Sequence, residues 1–422
     1  MEATYELFRQ EGYSTNLIHD GDAVIASSYD YSGTSIRELG VGLKKMISIN
    51  AVKNVDFTEM VKKLMLHDRN VHISNTKSHK QLDSIIMDTD LKECFWEVVR
   101  QSEGSNVTVT MAFLRYDAEI SSNVDTVNAV QKKHEHALLT LEDNFDPQNS
   151  RYIIDFSKAV SCNDIAKEVT GINDVIARRR ELIKTSMPGA YTLVFRRGLG
   201  GIIYHEVVGH QFEISKSCSR YAPVKFGKHF LLCTPNLSIT DVPLGLPGGC
   251  AYDDEGTRKS ETLLIRDGYI GSPLTDKFHL EKNQSFQLTG NGRRESYLYY
   301  PESRMYKLCV KKGEHSEGNI LSSVENGFYV EHISYAYCSH KTGAVECLVS
   351  NARVIKEGCI TNVYVTFVID DCASKFFNVK MIGNHEQLLP GYCVSASGGL
   401  YVEHESPMLC IENINIRSVR TI

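Results

Sequence analysis

Apolar and polar residues alternate in short stretches along most of this chain, with a few longer segments of helical period between them. Residues 22–29 (DAVIASSY) read as a strand, and Ser32-Gly33-Thr34 followed by Gly40-Val41-Gly42 supply turn positions. Asp56 with Glu59 three residues on resembles a capping box that opens a helix through about His67. Leu91, Cys94, Phe95, Val98 and Val99 recur at helical spacing and predict a helix over 90–101. Residues 106–116 then alternate as a strand does. Asn163 or Asp164 can cap a long helix to about Lys184, which Pro188-Gly189 breaks. Residues 190–195 form an apolar strand, and Gly198–Gly201 leads into a helix bearing two histidines. Beyond about 228 the chain is rich in Val, Ile, Tyr, Thr and Gly, as strands require.

The pattern predicts an α+β protein. An N-terminal mixed α/β domain over 1–187 precedes a strand-rich domain over 188–422 that begins with the histidine-bearing helix. A chain of 422 residues exceeds what one core commonly serves, which agrees with two domains. With 42% apolar and 23% charged residues and only 10 prolines, it is a folded globular chain rather than a disordered one.

Charge narrows the function. The net charge is −6 and the basic residues are scattered, so no nucleic-acid footprint is present; Arg178-Arg179-Arg180 reads as the solvated face of a helix. No apolar run reaches the ~18–20 residues of a membrane span, and the start MEATYELFRQEGYS is not a signal peptide. A cytoplasmic location and no membrane partner are expected. The 12 cysteines are dispersed without a C-x-x-C pair, so most are expected to be buried thiols. His134 and His136 share one face of an alternating segment and read as exposed strand residues rather than a metal pair.

Gly200-Gly201-Ile202-Ile203-Tyr204-His205-Glu206-Val207-Val208-Gly209-His210 carries the chemistry. It reads H-E-x-x-x-H. On a regular α-helix, residues four apart lie about 40° from alignment, whereas residues five apart lie about 140° from each other, too far to share an ion. A π-type turn or a helix end near Gly209 is needed to swing His210 back. Two imidazoles then hold Zn²⁺ with a third protein ligand, and Glu206 is placed to act as general base. On this segment alone, a satisfied pair of core histidines remains the alternative.

Together with its surroundings the segment resembles the TldD/PmbA family of metallopeptidases. Glu213 matches a Glu downstream of that family's H-E-x-x-G-H. Tyr252-Asp253-Asp254-Glu255-Gly256-Thr257 looks like its DDEGT region, Gly290-Asn291-Gly292-Arg293-Arg294-Glu295-Ser296, with Arg304-Met305 behind it, like its GNGRRES segment, and Ile382-Gly383-Asn384 like its I-G-N. The resemblance implies a third metal ligand at Cys393, shortly after I-G-N. There the chain departs from the family, reading Cys393-Val394-Ser395-Ala396-Ser397-Gly398 in place of C-G-K-x-G-Q. Glu213 is expected to orient a histidine, with His404 and Glu213 itself as fallback ligands. The start lies near the first strand, without a leading helix. Clusters of Gly, Asn and Asp are also ordinary turn chemistry, so Asp253 and Asp254 can simply cap turns; Arg293 and Arg294 are candidates for holding a peptide carboxylate or for bonding backbone carbonyls near the metal.

The resemblance thus implies a zinc peptidase acting on extended or unfolded peptides, as a homodimer or a heterodimer with a related subunit. Two alternatives stand beside it: a specialised metalloenzyme that matures one peptide or natural product, and a non-catalytic peptide-binding subunit stabilised by zinc.

Overall fold

The computed structural model describes residues 4–19, 24–30, 32–39, 46–49, 60, 71–73, 89–122, 130–144, 151–155, 162–185, 187–217, 234, 236–244, 251–281 and 285–418. The helix expected to open at Asp56 lies outside them, apart from the helical Met60, and so do the turn residues 40–42.

The N-terminal half is a twisted, mostly antiparallel sheet of β1 (Thr4–His19), β2 (Val24–Asp30), β3 (Gly33–Leu39), β4 (Met46–Ile49), β5 (Val71–Ile73), β6 (Val107–Ser122), β7 (Val130–Asp143) and β8 (Arg151–Asp155). Its order is β5-β4-β3-β1-β6-β7-β8, with β2 paired to the far end of β1. Helices α1 (Thr89–Ser102) and α2 (Cys162–Leu182) belong to this half. The expected stripe of α1 is its buried face: Cys94, Phe95, Val98 and Val99 share a core with Val109, Met111 and Leu139 of the sheet and Ile165 and Val169 of α2. His134 and His136 fall on β7, but their side chains are not among the described ones.

A second sheet is built from β9 (Ile183–Thr185), β10 (Gly189–Phe195), β11 (Ile239–Val242), β12 (Thr262–Arg266), β13 (Tyr269–Ile270), and, after the small β14 (Gly292–Arg293) and β15 (Glu302–Ser303) pair, β16 (Lys307–Val310), β17 (Asn326–Cys338), β18 (Ala344–Lys356), β19 (Cys359–Cys372), β20 (Val379–Ser395) and β21 (Gly398–Arg417). β21 pairs with β10, β16 and β20, and its Ile416 and Arg417 also meet Ile369 and Val368 of β19. Strands β21-β10-β17-β18-β19 therefore close a ring around a core that includes Leu193, Val330, Val349, Phe367 and Leu409. β9 joins this sheet through β19 although it precedes residue 188.

The two halves meet at buried charge. Glu6 of β1 takes Arg37 of β3 at 2.9 and 3.0 Å, and Arg37 reaches Glu255 of the second half at 2.6 Å. Arg294 adds a bond to Glu6 at 3.1 Å and Lys277 lies 3.4 Å from it. Beside this cluster the Tyr297 ring lies where a side chain at Gly33 would be, and joins Phe8, Ala118 and Ile120. Cysteine usage is more varied than the sequence suggested. Cys94 is disulfide-bonded, Cys359 and Cys372 are exposed free thiols, and Cys338, Cys347, Cys393 and Cys410 are buried free thiols.

Candidate metal centre

Helix α3 (Leu199–Tyr204) runs straight into a π-helical turn over His205–Gly209. The wide turn supplies the extra residue that the five-residue histidine spacing demands, and the His210 amide bonds back to the His205 carbonyl. Two glycines make the placement possible by close approach. A Cβ at Gly201 would sit 2.9 Å from the His404 Cβ and 3.1 Å from the Glu405 amide on β21, so α3 packs directly onto that strand. A Cβ at Gly209 would overlap the Met305 sulfur.

The result brings His205, His210 and Cys393 together, one donor atom of each lying within 4.8 Å of the others. Cys393 comes from β20, where it pairs with Leu400 of β21, and its Sγ is 3.3 Å from His210 Nε2. Glu213 holds the other side of the His210 ring: its Oε2 is 3.0 Å from Nδ1, and Lys216 meets the same oxygen at 2.8 Å. Lys216 Nζ also lies 2.9 Å from Nδ1, and the opposite ring nitrogen, Nε2, faces Cys393. Burial opposes charge on both partners, yet Glu213 lifts His210 to about 10, and the rings of His205 and His210 bring the Cys393 thiol down to about 4. Burial also opposes charge on Glu213, but Lys216 and His210 hold its carboxyl far below the usual range.

His205 keeps Nδ1 buried without a hydrogen-bond partner, as does His404, whose ring stands edge-on to that of His205 with centroids 4.8 Å apart. Burial keeps His404 neutral, its pKa well below the ordinary value, with His205 and His210 adding to the effect. Two imidazoles and an acidified thiol, converging with an unsatisfied ring nitrogen nearby, are a donor set that suits Zn²⁺. His404 is not part of the converging group of three, although it lines the same cavity.

That cavity, of about 1190 Å³, lies between the halves: Asn16, Thr110 and Tyr152 face it from one, and Glu206, Tyr335 and Cys393 from the other. Glu206 has its Oε1 3.8 Å from His210 Nε2. The Tyr152 and His332 rings stack across the junction, 4.0 Å between centroids.

Of the two roles expected of Arg293 and Arg294, the structure shows bonds to backbone carbonyls and no place on the cavity wall. Both are buried, and neither lines the cavity. The Arg293 guanidinium is taken by the carbonyls of Met305 and Tyr401, and that of Arg294 by Glu6, Ser35 and the Asp254 carbonyl. The DDEGT-like segment is turn chemistry: Asp253 accepts the amides of Glu255, Thr257 and Gly292. A residue that sequence reasoning left without a role is Arg304. It donates to the Cys393 carbonyl at 2.6 Å, and no spacing in the sequence signals this.

The model of the PmbA/TldA metallopeptidase C-terminal domain matches residues 188–418. The metalloprotease TldD homolog of Buchnera aphidicola subsp. Acyrthosiphon pisum is 27% identical over 241 residues, 55% of this chain and 49% of that protein. The zinc metalloprotease TldD homolog of Saccharolobus solfataricus is 28% identical over 176 residues, 39% of this chain and 38% of that protein. The chain spans about half the length, or less, of these curated relatives. In solved structures the fold is similar to that of TldE from Thermococcus kodakarensis, with a TM-score of 0.71 at 14% identity, over 98% of this chain and 96% of that one. With its family model matched over more than half its length, the chain belongs to the TldD/PmbA family.

Proposed function

We propose that this chain is a zinc-dependent peptidase in which His205, His210 and Cys393 hold the metal and Glu206 is the general base. The observation that carries the reading is the convergence of those three donors at the wall of a large cavity with the Glu206 carboxylate beside them. When bound, the ion supplies Lewis acidity, drawing electron density from a scissile carbonyl and making water easier to deprotonate. Glu206 takes the proton of the attacking water and passes it to the leaving amine. Glu213 keeps the His210 ring in the tautomer that offers Nε2.

The cavity suits an extended chain. Past Val330, β17 keeps β18 on one side, while among the described residues no strand pairs its other side, and Ser334, Tyr335, Ala336 and Tyr337 line the cavity there. A peptide laid along that edge is held through its backbone, with little demand on sequence. A cytoplasmic setting and a second related subunit, or a second copy, belong to the same reading. No described helix is long and apolar enough to cross a membrane.

The test is incubation of the protein and its Glu206→Gln variant with a mixture of unstructured peptides, reading new termini by mass spectrometry with and without a chelator. Cleavage lost in both the variant and the chelated sample is the expected result. Cleavage that survives either treatment rules the mechanism out.

A further inference from the structure

We infer that Arg304 is a positioning residue that ties the thiol-bearing hairpin to the histidine-bearing turn, setting the distance between Cys393 and His210. This rests on the metal-site reading above and adds to it a residue that ordinary ligand chemistry would not single out.

The side chain of Arg304 is about 2% exposed, and it spends its donors on two segments far apart in sequence. Nη2 donates to the Cys393 carbonyl at 2.6 Å. Nη1 donates to Ser397 Oγ at 2.9 Å and to the Gly398 carbonyl at 3.1 Å, so both sides of the β20–β21 turn are held by one planar group. Nε faces the Glu213 Oε1 oxygen at 3.7 Å, and that oxygen has no hydrogen bond of its own. Glu213 in turn holds His210 Nδ1. A continuous path therefore runs from the Cys393 backbone through Arg304 and Glu213 to the His210 ring. The residue is itself fixed, since its amide donates to the Asn291 carbonyl and its carbonyl accepts from Asn291 Nδ2.

Ser397, fully buried in the hairpin turn, supplies one of the acceptors. Glu295 secures the turn from the same side, its Oε2 accepting the Gly399 amide at 2.7 Å. A guanidinium can serve three acceptors of the hairpin and one carboxylate at once because its donors form a rigid fork, which an ammonium cannot reproduce. Arg304 thus holds the strand end that carries the thiol.

The experiment uses Arg304→Lys and Arg304→Met in the full chain and reads two quantities. In metal-free protein, the alkylation rate of Cys393 is followed by mass spectrometry, with the core thiol Cys347 as the monitor of general loosening. Zinc affinity is then measured by competition with a chromophoric chelator. The expected result is faster labelling of Cys393 alone, together with zinc affinity weakened roughly ten- to a hundredfold. Equal acceleration at Cys393 and Cys347 would reduce Arg304 to general packing, and unchanged labelling with unchanged affinity would refute the clamp. Should the Arg304 variants not fold, Ser397→Ala, which deletes one anchor of the hairpin, carries the same comparison: faster Cys393 labelling supports the clamp and wild-type labelling sinks it. Wild-type protein that takes up no zinc while Arg304→Lys still exposes Cys393 separates the two ideas, since the clamp then stands and the metal reading falls.

Discussion

Replacing Glu6 with Gln tests how strongly buried charge joins the two halves. Its carboxylate is about 1% exposed and faces three cations: Arg37 at 2.9 and 3.0 Å, Arg294 at 3.1 Å and Lys277 at 3.4 Å. Burial alone would raise its pKa, but Arg37, Lys277 and Arg294 reverse this and bring it from 4.5 to about 2. At ~1.4 kcal/mol for each pH unit, that lowering is worth about 3 kcal/mol of stability at neutral pH. Breaking a buried ion pair from one side typically costs about 3–5 kcal/mol, so two independent routes agree in scale.

The sign follows from the lowered value. The contribution is complete above the unfolded pKa and is lost as pH falls through the folded one. Between wild type and Glu6→Gln, the gap should be about 3 kcal/mol at pH 7 and should shrink steadily as pH falls below the unfolded value and through the folded one. Urea unfolding followed by the fluorescence of Trp96, the single tryptophan and a residue of α1, reads the half of the chain that contains Glu6. Equal stability of the two proteins at pH 7, or a gap that widens toward acid, would refute the reasoning.

Two further substitutions separate the metal centre from the scaffold. Gly209→Ala places a methyl group against the Met305 sulfur, and such overpacking costs about 1–3 kcal/mol; zinc affinity should fall and should recover when Met305→Ala is added, both by chelator competition. Tyr204→Phe removes the hydroxyl that donates to the Phe376 carbonyl at 2.6 Å; thermal melting should show a loss of about 1–2 kcal/mol with wild-type zinc affinity, and a weakened affinity would mean that this bond also sets the turn.

What was legible in the sequence followed from simple periods and simple geometry. The stripe on α1 is buried as its spacing requires, and the five-residue gap between His205 and His210 demanded a widened turn, which the π-helical segment provides. Strand β1 escaped notice because Glu6, Gln10 and Thr15 are polar yet buried, so alternation failed where the strand serves the junction. Arg293 and Arg294 follow a Gly-Asn-Gly turn in which nothing local reveals their partners, which are carbonyls and a carboxylate distant in sequence. Cys393 came from resemblance alone: a single thiol in a strand has no local signature. Arg304 had none either, since its acceptors at Cys393 and Gly398 are backbone oxygens about ninety residues on.

The junction also works as a gauge. The cleft has one wall from each half, and the halves are joined by the Glu6, Arg37, Glu255 and Arg294 cluster and by Tyr297 seated on Gly33. Swinging the walls apart would wet that cluster and leave its charges without their partners, so the jaw is braced against opening. Its bore is then set by the resting fold rather than by the guest.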